Sequence, residues 1–128
     1  ADMTQLAQSP PSLDEYPGAH ALTAAAQAAS AQAGVRAIAG RYATGDRFVG
    51  DTETKRKVEA ACHPDCVEME GAAVSQIAAK NGVPCVILRA MSDNADEDGY
   101  EVLVVKKFSI AEYVATATKI VAAMVESL

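Results

Sequence analysis

The run PCVILRA, Pro84 to Ala90, constrains the fold of this chain more than any other segment. Its residues are apolar without alternation up to Arg89, so an extended backbone there needs cover on both faces. That is the pattern of a strand inside a parallel sheet flanked by helices. Asn81-Gly82 stands before it as a helix stop, reinforced by Pro84, and an acidic loop from Asp93 to Gly99 follows. The segment is therefore read as a buried strand that ends at Ser92-Asp93.

The rest of the chain alternates in the same way. Ala19 to Ala33 is alanine-rich, with high helix propensity and a stop at Gly34. VRAIAGRYATG follows, and Val35, Ala37, Ile38 and Ala39 read as a largely buried strand ending near Thr44-Gly45. Thr52 to Ala61 reads as a short charged helix. CVEME, Cys66 to Glu70, is expected to be a strand that runs into a helix from Gly71 to Lys80. Ser109-Ile110-Ala111-Glu112 forms a capping box for a last helix, on which Ile110, Tyr113, Val114, Ala117, Ile120, Val121, Met124 and Leu128 keep one face. Strands alternating with helices argue for a layered α/β fold.

In such folds ligands bind at the carboxyl ends of the strands. Three segments fall there: Gly45 to Val49, Glu68 to Glu70, and Ser92-Asp93. Parallel strands would bring all three to one edge.

Composition narrows the choice of partner. The 128 residues suffice for one domain, half are apolar, and the net charge is −6. The longest basic groupings are the consecutive Lys55-Arg56-Lys57 and the pair Lys106-Lys107, too sparse for phosphate neutralisation, which argues against a nucleic-acid partner. No apolar segment reaches the roughly 18 residues of a membrane span. Three cysteines, Cys62, Cys66 and Cys85, give no disulfide framework and fit a reducing cytoplasm.

Asp93 is the leading candidate for acid–base work. Backed by Val86, Ile87 and Leu88, its carboxyl is placed for partial desolvation, which raises a pKa toward general-acid service. The same residue also fits a helix cap or a solvated turn acid. Glu70 opens a predicted helix, where the dipole favours a carboxylate; it can accept paired hydrogen bonds from a sugar diol or simply stabilise its own helix. Phe48, one of two phenylalanines, lies in a Gly-Asp loop where a flat ring can stack on a heterocycle or anchor the loop. Met69 reads more readily as core than as a ligand contact. NADEDG aligns with the start of an EF-hand loop, but the twelfth position is Val105 where a bidentate Glu is required. Cys62, His63, Cys66, His20 and Cys85 repeat no metal-site spacing. Asp96, Glu97 and Asp98 are most simply solvated loop charge.

Taken together, GDRFV, VEMEGAAV and ILRAMSDNAD resemble the nucleoside phosphorylase/nucleosidase superfamily, and within it the methylthioadenosine/S-adenosylhomocysteine nucleosidases. The resemblance runs from the opening ADMT over nearly the whole chain, but corresponds to the C-terminal half of such an enzyme. It implies a three-layer α/β/α nucleoside phosphorylase-like fold, with residues 1–128 as the C-terminal portion of a single domain. It implies hydrolysis of the N-glycosidic bond of a purine nucleoside, no metal or organic cofactor, and a homodimeric complete enzyme. By position, Asp93 matches the acid toward purine N7, and Ser92 its neighbour in the purine pocket. Phe48 matches the stacking ring, and Val49 the residue whose backbone reads the base edge. Met69 and Glu70 match the ribose-binding pair, Glu68 lies beside them, and Arg89 matches an arginine that orients site carboxylates. The family's water-activating carboxylate has no counterpart in this chain, so either a complementary N-terminal polypeptide is a partner or the chain is a fragment of such an enzyme. Two other readings stand beside this one: a purine nucleoside phosphorylase on the same fold, and a non-catalytic nucleoside-binding fragment.

Overall fold

The computed structural model describes residues 13–92, 95 and 109–128. Among these, helix α1 spans His20–Gln32, strand β1 Tyr42–Thr44, helix α2 Thr52–Cys62, strand β2 Cys66–Glu68, helix α3 Gly71–Lys80 and helix α4 Ile110–Ser127. β1 and β2 pair in parallel, Tyr42 with Cys66, Ala43 with Val67 and Thr44 with Glu68. The α2 connection between them supplies the crossover that a parallel pair requires.

The helix ends follow local chemistry. α1 and α3 both close with a left-handed glycine, Gly34 at φ 70° and Gly82 at φ 66°, a backbone setting that costs a residue with a Cβ. In each, the next residue's N–H reaches back five positions, Val35 to the Ser30 carbonyl and Val83 to the Ala78 carbonyl, both at 2.9 Å. α2 begins on Asp51, whose carboxylate accepts from the Thr54 amide at 2.7 Å and is held below the usual carboxylate range by that bond. Ser109 caps α4 by accepting from the Glu112 amide.

The core of the described residues lies between α1 and α4. Ala26, Ala29 and Met124 are buried, with Ala25, Val86, Ile120 and Ala123 packed around them. Small alanines let the two helices approach closely, and Met124 fills the remaining gap. Ser30 is buried too, its hydroxyl donating to the Ala26 carbonyl at 2.7 Å.

Three sequence expectations change. Among the described residues PCVILRA enters no ladder. It is tied down by isolated bonds, from the Ala19 amide to the Cys85 carbonyl at 2.7 Å and from the Tyr42 hydroxyl to the Ile87 carbonyl at 3.4 Å, while Val86 packs on the α1–α4 core. An apolar run demands burial, but a ladder also demands a neighbouring backbone in register. For the same reason Val35 to Ala39 is not a buried strand, and Ile38 is 69% exposed. Pairing starts only where Arg41 and Asp65 exchange bonds: the Arg41 amide donates to the Asp65 carboxylate and the Asp65 amide to the Arg41 carbonyl. On α4 the buried strip runs through Ile120, Ala123 and Met124, whereas Ile110, Val114, Val121 and Leu128 are exposed. α1 is one helix wide and covers one flank of a broader apolar stripe.

Candidate functional site

The parallel register brings the ends of both strands to one edge, where they open into a cavity of about 600 Å³. This falls within the usual size range of small-ligand sites. Phe48 and Val49 enter from the loop after β1, Glu68, Met69 and Glu70 from the end of β2, and Arg89 and Ser92 from the segment after α3. These seven expected site residues therefore share one cavity. Asp93, the expected acid, lies outside the described residues.

Glu68 organises the charged side of this space. Its pairing with Thr44 sets the two side chains next to each other on one face of the sheet. The Thr44 hydroxyl donates to Glu68 Oε1. Glu68 Oε2 accepts from the Gly71 amide at 2.7 Å, the Glu70 amide at 3.1 Å and Arg89 Nη2. A carboxylate at a helix N-terminus answers both the unpaired amides and the positive end of the dipole. Burial by itself would raise the Glu68 carboxyl. The bonds from Thr44, from the two amides and from Arg89 outweigh it and hold the group below the usual glutamate range. Gly71 leaves room for this arrangement, since a Cβ there would come within 2.9 Å of Glu68 Oε1.

Glu70 is the N-cap residue of α3 but makes no capping bond with its side chain. Its Oε2 instead accepts from Arg89 Nη2 at 2.8 Å, and its side chain is 67% exposed against 8% for Glu68. Partial burial opposes the charge on Arg89, but its bonds to Glu70 and Glu68 more than compensate and raise its pKa. Burial, together with the charges of Glu68 and Asp65, likewise pushes the Cys66 thiol up.

The apolar side is formed by Phe48, Val49, Met69 and Met91. The Phe48 ring folds over Gly50, where an added Cβ would sit 2.7 Å from Phe48 Cε1. A cavity lined by both an aromatic ring and paired carboxylates suits a ligand that carries a flat heterocycle and hydroxyls. Sequence reasoning missed Thr44 and Gly71. The available signal was positional: Thr44 is the last β1 residue before Gly45-Asp46, and Gly71 directly follows the paired glutamates.

An open α/β edge with an aromatic and carboxylate-lined cavity belongs to the broad class of α/β small-molecule-binding proteins. More narrowly, the chain belongs to the phosphorylase superfamily, whose family model matches residues 2–126. Its fold, helices around a parallel sheet, is the fold of that superfamily. It is 39% identical over 98 residues to the 5′-methylthioadenosine/S-adenosylhomocysteine nucleosidase of Shewanella halifaxensis, a match that covers 76% of this chain and 42% of the relative. Among solved structures it is similar to a Helicobacter pylori methylthioadenosine/S-adenosylhomocysteine nucleosidase mutant with 5′-methylthioadenosine in the active site (TM-score 0.80, 31% identity, 93% of this chain and 50% of that one). It is also similar to native futalosine hydrolase of Helicobacter pylori (TM-score 0.78, 29% identity, 99% of this chain and 55% of that one). The chain thus spans about half the length of the proteins it matches.

Proposed function

We propose that this chain forms the base pocket and part of the ribose site of an N-glycosidase that hydrolyses methylthioadenosine, S-adenosylhomocysteine or a similar purine nucleoside and releases adenine. The observation that carries the reading is the meeting of Phe48 with Glu70 and Arg89 around one cavity at the strand ends. Phe48 stacks on the purine, the Val49 backbone reads its edge, and Ser92 lines the base pocket. Met69 packs on the ribose and Glu70 accepts from its 2′- and 3′-hydroxyls, with Glu68 and Arg89 beside them. Asp93 donates toward N7.

The chemistry asks for this division of labour. Cleaving the bond builds positive character on the ribose while electrons move into the purine. A proton donor at N7 makes adenine a better leaving group, and a carboxylate beside the hydroxyls stabilises the developing charge. The water-activating carboxylate comes from a complementary N-terminal polypeptide, so that residues 1–128 are the C-terminal portion of one nucleosidase-like domain. Support for such a partner comes from the apolar side chains left exposed among the described residues, including Ile38, Val74, Met91 and Val125. The complete enzyme is a homodimer of the cytoplasm, a setting that suits three free cysteines; among the described residues no helix is long and apolar enough to cross a membrane.

Calorimetric titration with adenine tests the pocket. Phe48→Ala should weaken binding about tenfold or more, the usual range for loss of one base–aromatic stack. Unchanged affinity would remove Phe48 from the site. Adenine release assayed with and without inorganic phosphate then separates hydrolysis from phosphorolysis, and a strict phosphate requirement would overturn the hydrolytic reading.

A further inference from the structure

We propose that Thr44 is a positioning residue of the ribose site: its hydroxyl, anchored by the α3 terminus, pins Glu68, and Glu68 through Arg89 sets the position of Glu70. The proposal rests on the reading of Glu70 as the acceptor of the ribose diol.

A threonine hydroxyl has one proton to give and two lone pairs. The Ala72 amide, in the first turn of α3, donates to Thr44 Oγ1 at 2.9 Å and so occupies a lone pair. The proton is left for Glu68 Oε1, with which it bonds. Thr44 thereby supplies to α3 a capping acceptor that Glu70 does not provide. It also ties the end of β1 to the residue opposite it on β2.

Glu68 is then heavily engaged. Three bonds fill Oε2, and Oε1, bonded to Thr44, keeps one acceptor position. Little capacity remains for a substrate hydroxyl, which separates Glu68 from Glu70. Glu68 instead holds the guanidinium that bonds to Glu70. One cation shared by two carboxylates leaves a net negative charge at the exposed member, where a sugar diol would arrive. The other titratable neighbours of Glu68 are Cys66 and Tyr42, both of which its charge pushes up in pKa.

Thr44→Val keeps the shape and removes the hydroxyl, stranding the Ala72 amide and Glu68 Oε1; Thr44→Ser keeps both bonds. The full chain is titrated with adenosine and with 2′,3′-dideoxyadenosine, which share a base and differ in the diol. Wild type should favour adenosine by about tenfold, the scale of a hydrogen bond to a charged group. Thr44→Val should bring the ratio toward one with dideoxyadenosine affinity unchanged, and Thr44→Ser should restore it. A ratio preserved in Thr44→Val, equal loss for both ligands, or no rescue by serine overturns the proposal. A wild-type ratio of one overturns the diol reading of Glu70 instead. The pinning itself is then decided by carboxyl-carbon NMR titration of Glu68, whose midpoint rises in Thr44→Val if Thr44 holds it and stays unchanged if it does not.

Discussion

Arg89 joins Glu68 to Glu70 through a single nitrogen: Nη2 bonds to the nearly buried Glu68 carboxylate and, at 2.8 Å, to the exposed Glu70 carboxylate. The guanidinium comes from the segment after α3 and the two acids from the end of β2, so the link ties separate parts of the chain together. Arg89→Met should destabilise the fold by about 1–3 kcal/mol, because the Glu68 charge loses its cation while remaining largely out of water. Denaturant unfolding of the two proteins measures this, and superimposable curves would show that Arg89 contributes nothing to the fold.

The Glu68 carboxyl also predicts an acid response. Its pKa in the folded protein is lowered, by bonds that outweigh the effect of burial. A lowered folded value contributes stability that is present above the unfolded value and is lost as pH falls through the folded one. Unfolding free energy should therefore drop between the ordinary glutamate range and more acidic pH. Glu68→Gln should reduce that slope by up to one proton's worth, about 1.4 kcal/mol per pH unit. Parallel curves for the two proteins would contradict the assignment.

Gly50 governs the placement of Phe48. A methyl group at Gly50 would meet the ring 2.7 Å from Cε1, and the ring must turn away to accommodate it. Gly50→Ala should weaken adenine binding by about as much as Phe48→Ala, roughly tenfold, while global stability changes by under about 1 kcal/mol. Calorimetry on both variants decides the matter, and undiminished adenine affinity in Gly50→Ala would mean that ring position is not what the pocket reads.

Asp93 carries the proposed proton transfer. In a preparation that releases adenine, Asp93→Asn should lower turnover by about 10²- to 10⁴-fold, the usual contribution of a general acid, with substrate affinity changed far less. Single-turnover adenine release beside equilibrium binding separates the two effects. A variant with full turnover would take Asp93 out of the mechanism.

Much of this protein was legible from local chemistry. The α1 and α3 stops at Gly34 and Gly82, the Ser109 cap and the start of α3 after Glu70 all depend on residues within a turn of each other, so the sequence by itself determined them. The site segments could likewise be named, because strand-to-loop transitions leave a signature of apolar runs broken by Gly, Asp and Glu. Tertiary structure decided what needs a distant partner. PCVILRA and Val35 to Ala39 have strand composition but no ladder among the described residues, since no residue chooses its own neighbouring backbone. The α4 stripe is apolar over more surface than α1 covers. VEME singled out Glu70 by its place at a helix start, but what occupies Glu68 was invisible there: the Thr44–Glu68 register, the α3 amides and Arg89 engage one acid and leave the other exposed. Hydrogen bonds between elements are set by where the backbones come to rest, and only the folded chain fixes that.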